Sequence, residues 1–186
     1  ANPGKYDLII IEDNAALLAY RPGRLMVAAI APERTLLITS CAKSVSPAVN
    51  VGFVAVPHGW ASQLNTAIKT HHLYGSMLNV NVVKALLDSG ALERICNGSQ
   101  AMVGRRIAIA HDVLNPFNLR THPQSWLAWL ELPNVWTSEA FTIAARMQGV
   151  ALGGAQNFVI PGGVPDMDGV RISLTSTTSD HDFIKY

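Results

Sequence analysis

Three short apolar runs in the first third of the chain predict the strands of one sheet. Each run is continuous rather than alternating, and turn residues bound it. Continuous apolar runs of this length are typical of strands that are covered on both faces. The sequence therefore predicts buried strands over Tyr6–Asp13, Thr35–Ser40 and Phe53–Pro57, in a parallel or mixed sheet.

Helical spacing of apolar residues follows these strands. The pattern predicts one helix from Trp60 to about Thr70 and a second from Ser76 to Leu87, which ends at Asp88-Ser89-Gly90. A longer helix is predicted over Ala91–Leu114, although Gly98 and Gly104 weaken it by about 1 kcal/mol each. The pattern breaks at Asn115-Pro116, where we expect a domain boundary.

The last third of the chain predicts a small α+β unit. Trp126–Leu132 and Val170–Thr175 have the composition of strands. Ser138–Gln148 has that of an amphipathic helix, capped by Thr137 or Ser138. Two glycine pairs in the loops lack the Gly-Lys-Ser/Thr ending of a phosphate-binding loop, so we interpret them as turns. These pairs are Gly153-Gly154 and Gly162-Gly163.

Lys43 is the first candidate for chemistry. It lies in a turn of small residues between two predicted strands, Ser40-Cys41-Ala42-Lys43-Ser44. A primary amine held in such a turn can form a Schiff base with an aldehyde cofactor, of which pyridoxal phosphate is the first candidate. A lysine on a turn can equally be a solvated surface residue.

Asp13 is the second candidate, because it ends the first predicted strand. In open α/β sheets, ligands bind at the carboxyl ends of the strands. A carboxylate there can pair with a protonated pyridine nitrogen, which keeps the ring an electron sink. The alternative is an aspartate that accepts hydrogen bonds from backbone N–H groups after the strand.

Motifs along the chain resemble the fold-type I pyridoxal-phosphate enzymes of aminotransferase class I/II. The nearest resemblance is to the aminotransferase-like domain of MocR-type transcriptional regulators, in the GntR family. The family patterns are a strand ending in Glu-Asp-Asp-Tyr, a Ser-Phe-Ser-Lys turn followed by Pro and Arg-x-Gly, and a Leu-Arg-Leu/Ile-Ser strand. The matching residues are Glu12-Asp13-Asn14-Ala15, Ser40-Cys41-Ala42-Lys43 with Pro47 and Asn50-Val51-Gly52, and Val170-Arg171-Ile172-Ser173-Leu174. The residues from Trp129 to Phe158 are similar to the MocR-type small domain.

The resemblance implies a role for each matched residue. Lys43 would form the Schiff base and move the Cα proton of a substrate, and Asp13 would pair with the pyridine nitrogen. Ser40 would contact the cofactor phosphate. Arg171 would bind the α-carboxylate of an amino acid through two parallel N–H bonds. Without the family, an arginine in an apolar strand is more often an edge or ion-paired residue.

The chain departs from the family pattern at two cofactor-binding positions. Ala15 stands where the family has a tyrosine that hydrogen-bonds the phenolic oxygen of the cofactor, and Asn50 stands where it has a phosphate-binding arginine. Replacing a bidentate cation by a neutral amide costs about 1.5 to 3 kcal/mol, which is about one to two decades of affinity. The resemblance implies pyridoxal phosphate as the cofactor, and these departures leave open the alternative that its binding is weak or lost.

The resemblance also predicts the domain organisation. Residues 1–90 would be the C-terminal part of an α/β large domain of the pyridoxal-phosphate-dependent transferase fold, with a mixed or parallel sheet. Residues 91–114 would be a connecting helix, and residues 115–186 a small α+β domain that stops at its last helix. We expect the chain to be a C-terminal fragment. The earlier part of the large domain, and the winged-helix domain through which a MocR-type regulator binds DNA, would lie outside it.

Composition narrows the classes of partner. The chain is 49% hydrophobic and 15% charged, with a mean hydropathy of +0.22. The charged fraction is low for a protein whose surface contacts only water, which indicates that part of the surface is an interface. A net charge of +1 does not provide the excess of positive charge that is typical of proteins that bind nucleic acid or anionic membranes. No apolar run has the length needed to span a bilayer, and no signal peptide opens the chain, so we expect a cytoplasmic location.

The cysteines and histidines give no metal-binding motif. Cys41 and Cys96 lack metal-ligand spacing, and we expect both to be reduced thiols. The adjacent His71 and His72 would point to different faces of a helix.

Three functions follow from these observations. The first is a ligand-sensing domain of a MocR-type regulator, in which a Schiff base at Lys43 responds to an amino acid or a vitamin B6 compound. The second is an aminotransferase that moves an amino group between an amino acid and a 2-oxo acid. The third is a dimerisation module that has lost the cofactor. The family implies a homodimer in each case.

Overall fold

The structure is a computed structural model that describes residues 8–16, 25–72, 75–123 and 125–185. The chain divides into two compact units, Ala1–Ser99 and Gln100–Tyr186, which we call the first and second unit. The division falls inside the longest helix, α4 (Ala91–Val113). The predicted assignment of residues 1–90, 91–114 and 115–186 to a large domain, a connection and a small domain stays a prediction.

The first unit contains a mixed three-stranded sheet in the order β1-β2-β3. Strand β2 lies in the centre, parallel to β1 and antiparallel to β3. The sheet confirms the predicted mixed arrangement, and β2 has the predicted bounds. The strands are β1 (Ile10–Asp13), β2 (Thr35–Ser40) and β3 (Gly52–Ala55).

The predicted burial of the outer strands is wrong. In β1 the side chain of Ile11 is 65% exposed, and in β3 that of Phe53 is 44% exposed. Apolar runs identify residues that can form strands, but the elements that cover a strand are not encoded in the run itself. Strands β1 and β3 are the two outer strands of this sheet, so each has one neighbouring strand in the described part of the chain.

Helices complete the first unit and agree with the helical spacing in the sequence. Ser76 caps α3 by accepting a hydrogen bond from the backbone N–H of Asn79 at 3.3 Å. Gly98 and Gly104 do not interrupt α4, because a helix tolerates single glycines at a modest cost in stability. The other helices in the described part of this unit are the short α1 (Val27–Ile30), which was not predicted from the sequence, α2 (Ala61–His72) and α3 (Met77–Asp88).

The second unit contains an antiparallel sheet in the order β4-β5-β7-β6. Burial alternates along β5, as expected for a strand with one face in the core. The core face of the sheet includes Leu119, Leu130 and Val170. The strands are β4 (Leu119–Arg120), β5 (Leu127–Glu131), β6 (Gly153–Gly154) and β7 (Gly169–Ser173). This α+β unit and the α/β first unit confirm the predicted fold class.

Helix α5 (Ser138–Met147) begins as predicted. The Thr137 hydroxyl accepts a hydrogen bond from the Ala140 backbone N–H at 3.2 Å, so Thr137 is the capping residue. Asp168 accepts from both the backbone N–H and the hydroxyl of Ser138, each at 2.8 Å, which lowers the pKa of the Asp168 carboxyl. A 3₁₀ helix at Ala155–Phe158 was not predicted. Helix α6 (Asp180–Lys185) lies where the resemblance implied the beginning of a last helix.

Arg106 joins α4 to the C-terminal segment of the second unit. Its side chain is 1% exposed, and its three nitrogens donate hydrogen bonds to three different acceptors. These acceptors are Asp180 Oδ1 at 2.9 Å, the Leu174 carbonyl at 2.8 Å and the Thr177 carbonyl at 3.1 Å. The guanidinium also lies 5.3 Å from the centre of the Phe183 ring. A buried cation whose donors are engaged in this way fixes structure.

This arrangement predicts a pH-dependent contribution to stability. The hydrogen bond from Arg106 lowers the pKa of Asp180 below that of the unfolded chain, so the stabilisation is present above about pH 4 and is lost as the pH falls further. We expect Asp180→Asn to unfold at lower urea concentration than the wild type at pH 7. The gap should close as the pH falls below about 4. Asp166→Asn, which changes an exposed loop residue, is the control, and a gap for Asp180→Asn that persists in acid would contradict the assignment.

Candidate functional site

Four of the five predicted site residues are brought to one edge of the first unit's sheet. Strands β1 and β2 are parallel with Asp13 opposite Ile38, so Asp13 and Ser40 lie where these strands end. Strand β3 runs the other way with Gly52 opposite Ser40, and Asn50 therefore precedes it at the same edge. Lys43 follows Ser40 in the connecting turn. Residues far apart in sequence thus lie together where open α/β sheets bind ligands.

The turn that carries Lys43 is held by hydrogen bonds from both ends. The Val45 N–H donates to the Cys41 carbonyl at 2.9 Å, and the Cys41 N–H donates to the Val51 carbonyl at 3.0 Å. From α4, the Ser99 hydroxyl donates to the Ser44 carbonyl at 3.3 Å. The Lys43 side chain is exposed on this turn. An amine presented from a fixed backbone loses little freedom on reaction, which favours covalent chemistry.

Cys41 is the other nucleophile of this turn. It is buried, and burial raises the pKa of its thiol, with a smaller contribution from Cys96. A thiol must ionise to be a strong nucleophile, so the raised pKa disfavours Cys41. Both cysteines are free thiols. Lys43 is therefore the better candidate for covalent attachment in the turn.

Asp13 has features of both roles that the sequence left open, an acceptor for backbone N–H groups and a partner for a pyridine nitrogen. Its Oδ1 accepts a hydrogen bond from the Ala15 backbone N–H at 2.9 Å, as expected for an aspartate after a strand. Its side chain is nevertheless exposed at the sheet edge. A carboxylate has capacity for further donors, so the backbone contact does not prevent a partner such as a pyridinium N–H.

Glu12 and Ser40 have structural contacts that the motif did not indicate. Glu12 accepts a hydrogen bond from the Ala28 backbone N–H at 2.9 Å and one from the Asn14 amide at 3.3 Å, which ties α1 to the end of β1. The Ser40 hydroxyl accepts from the Ala42 N–H at 3.1 Å and lies 3.5 Å from the Val51 carbonyl. Ser40 therefore contributes to the shape of the turn, and its phosphate contact stays a prediction.

Arg171, the fifth predicted residue, lies in the second unit on an inner strand. Strand β7 has neighbours on both sides, with Trp129 and Gly153 opposite Arg171. No carboxylate of the described residues forms an ion pair with its side chain. The structure therefore does not support the alternative of an edge or ion-paired arginine. The guanidinium lies 4.9 Å from the centre of the Phe158 ring.

Arg171 lines a shallow pocket. The pocket has a volume of about 360 Å³, and Arg120, His122 and Trp129 contribute to its lining. Arg120 lies opposite Trp129, but it is paired with Glu131. Sequence reasoning missed Arg120 because the two-residue strand that carries it has no periodicity. Polar residues that share a face of β5 and β7 could have indicated this pocket, but assigning residues to a face requires the register of the strands.

Neither a metal-binding cluster nor a membrane-spanning helix is found in residues 8–16, 25–72, 75–123 and 125–185. No group of three or more histidine, cysteine or acidic side chains there could hold a metal ion. None of the helices described is both long and apolar enough to cross a membrane.

Comparisons with known proteins identify the fold. The chain superposes on an archaeal alanine:glyoxylate aminotransferase with a TM-score of 0.81 and 15% identity, over 98% of this chain and 47% of that one. It superposes on LysN, the α-aminoadipate aminotransferase of Thermus thermophilus, with a TM-score of 0.79 and 22% identity, over 98% and 49%. This chain has an aminotransferase fold. The kynurenine aminotransferase of Pyrococcus horikoshii is similar to the same extent, at a TM-score of 0.79 and 19% identity, over 98% and 46%.

A regulator is also related to the chain. The HTH-type transcriptional regulator YdeF of Bacillus subtilis (strain 168) is 24% identical over 170 residues, which cover 91% of this chain and 37% of the regulator. No protein-family model matches the chain. The predicted resemblance to aminotransferases and to a transcriptional regulator is confirmed. The chain spans about half the length of the aminotransferases and just over a third of the regulator.

Proposed function

We propose that this chain is the aminotransferase-like part of a MocR-type transcriptional regulator that binds pyridoxal phosphate and senses an amino acid or a vitamin B6 compound. One observation carries the proposal. Asp13, Ser40, Lys43 and Asn50, which are spread over 38 positions of sequence, lie at one edge of the sheet in an aminotransferase fold. The relation to an HTH-type regulator favours sensing over turnover.

The residues at this edge fit pyridoxal phosphate in part. Asp13 and Lys43 are exposed residues that provide a carboxylate and an amine, which suit the pyridine nitrogen and the aldehyde. Asn50 is exposed and provides amide donors for the phosphate, and Ser40 provides a hydroxyl that is already engaged in the turn. The structures of two neighbours, LysN with a phosphopyridoxyl-leucine and the kynurenine aminotransferase with PMP, support this class of cofactor.

Each residue has a task that its own chemistry allows. When bound, pyridoxal phosphate supplies an aldehyde for covalent attachment and a ring that withdraws electrons. Lys43 provides the amine for attachment, and Asp13 holds a proton on the ring nitrogen through a charge-assisted hydrogen bond. Arg171 binds the carboxylate of the amino acid. Binding of an effector then changes the population of two conformations of a cytoplasmic homodimer, and a winged-helix domain conveys the change to DNA.

A second candidate is an aminotransferase acting on an amino acid and a 2-oxo acid. The similarity to aminotransferase structures over 98% of the chain favours it. The alanine at position 15 and the asparagine at position 50 count against it, because turnover needs a tightly held cofactor whereas sensing needs only binding. A third candidate, a dimerisation module without cofactor, accounts for the same two residues.

Titration with pyridoxal phosphate tests the proposal, and the variant Asn50→Arg tests the phosphate contact at position 50. We expect the wild type to develop the visible absorption band of an amine-aldehyde adduct at high cofactor concentration. Asn50→Arg restores a bidentate phosphate donor, so the half-saturating concentration should fall about tenfold to a hundredfold.

Asn65→Arg adds the same charge to an exposed position of α2 and serves as the control. It should leave the half-saturating concentration unchanged. Equal affinities for the wild type and Asn50→Arg would contradict a phosphate contact at position 50. The absence of a band in all three proteins would favour the dimerisation module.

A further inference from the structure

Phe158 contacts two side chains on the outer face of the second unit's sheet, those of Arg171 and Trp129. Its ring is 4.9 Å from the Arg171 guanidinium carbon, and it meets the Trp129 ring edge-on at 5.8 Å and 74°. Trp129 and Arg171 are register partners on β5 and β7, so both project from the same face of the sheet. The three side chains therefore form one contiguous stack.

Two glycines provide the space that this stack occupies. A Cβ at Gly153, the other register partner of Arg171, would lie 3.3 Å from Phe158 Cζ and 3.6 Å from Arg171 Nε. A Cβ at Gly169 would lie 2.5 Å from Trp129 Nε1. A side chain at Gly169 would displace the Trp129 ring, and one at Gly153 would require the Phe158 ring to move by a few tenths of an ångström. Glycine at these two positions therefore leaves room for the stack.

The stack orients Arg171 without using its hydrogen-bond donors. An aromatic ring contacts the face of a guanidinium, whereas a carboxylate binds the N–H groups along its edge. Within the described residues, Arg171 donates no side-chain hydrogen bond and forms no ion pair. Arg106 in the same unit is the opposite case, because its donors are engaged by protein oxygens. Arg171 is thus held in orientation while its donors remain available.

We propose that Phe158 is the positioning residue of a carboxylate-binding site at Arg171. This inference rests on the proposed function, in which Arg171 binds the carboxylate of an amino acid. The ring limits rotation of the guanidinium, so that less freedom is lost when a carboxylate forms two parallel hydrogen bonds. Removing the ring weakens binding of a carboxylate and leaves binding of an amine without a carboxylate unchanged.

The experiment compares L-alanine with ethylamine, which is the same molecule without its carboxylate. The full-length protein loaded with pyridoxal phosphate is titrated with each probe, and the Arg Nε–Hε signals are followed by NMR. In the wild type we expect L-alanine to bind at least about tenfold more tightly than ethylamine, and Arg171→Gln to lose this difference. Phe158→Leu should weaken the binding of L-alanine by about fivefold and leave the binding of ethylamine unchanged. Phe158→Tyr, which keeps the ring, should bind both probes as the wild type does.

The same spectra give a readout that is independent of ligand. With the ring in place, the Arg171 Nε–Hε signal should show a ring-current shift and restricted motion, both of which Phe158→Leu should lose. Discrimination that is lost in Arg171→Gln but unchanged in Phe158→Leu would overturn the role of Phe158 alone. A wild type that binds both probes equally would overturn the carboxylate site at Arg171, and the role of Phe158 with it.

Discussion

Replacing Arg106 with methionine is expected to lower the free energy of unfolding of the second unit by about 3 kcal/mol. Methionine keeps the apolar part of the side chain but leaves the Leu174 and Thr177 carbonyls without their donor. Leu174 is fully buried, so water cannot replace the lost hydrogen bond at its carbonyl without opening the core. Asp180 is 37% exposed and can be solvated again, which keeps the loss below that of a fully buried ion pair.

Arg105 provides a matched control, because it is adjacent and pairs with the same aspartate. Its side chain is 61% exposed and its Nε lies 3.4 Å from Asp180 Oδ2, so Arg105→Met should cost about 0.5 kcal/mol or less. Urea unfolding can be followed by tryptophan fluorescence in a Trp60→Phe background, where every remaining tryptophan lies in the second unit. Similar losses for the two arginines would show that burial does not determine the effect.

Local sequence signals predicted the elements that are long enough to have a period. Strand β2 has its predicted bounds, and Thr137 and Ser76 cap helices near where the pattern placed their starts. Strands β4 and β6 have two residues each, which is too short for any alternation to appear. The exposure of β1 could not be predicted either, since it depends on which elements pack against the strand.

The candidate site was predictable to the extent that its residues follow strands. The carboxyl ends of neighbouring parallel strands meet at one sheet edge, so Asp13 and Lys43 could be grouped before the structure was known. The contacts of Arg106 could not, because its acceptors lie 68 to 74 positions further along the chain. The contact of Phe158 with Arg171 likewise depends on the register of β7 with β5 and β6.

Lys43→Ala is expected to abolish covalent trapping of pyridoxal phosphate. Borohydride reduces the C=N bond between an amine and the cofactor aldehyde to a stable secondary amine, and the modified residue is then identified by mass spectrometry of peptides. The wild type should carry the cofactor on the peptide that contains Lys43. Lys69→Ala, which removes an exposed lysine from α2, should be trapped as efficiently as the wild type.

Lys43→Arg separates covalent attachment from electrostatic attraction. Arginine keeps the positive charge at the turn but its guanidinium does not form the C=N bond under these conditions, so this variant should bind the cofactor reversibly without being trapped. Trapping at a different lysine in the wild type would contradict the assignment of Lys43. Reversible binding without trapping in the wild type would mean that the sheet edge recognises the cofactor but does not attach it. Sensing would then have to depend on non-covalent contacts at Asp13 and Asn50, because the turn would hold the amine without using it as a nucleophile.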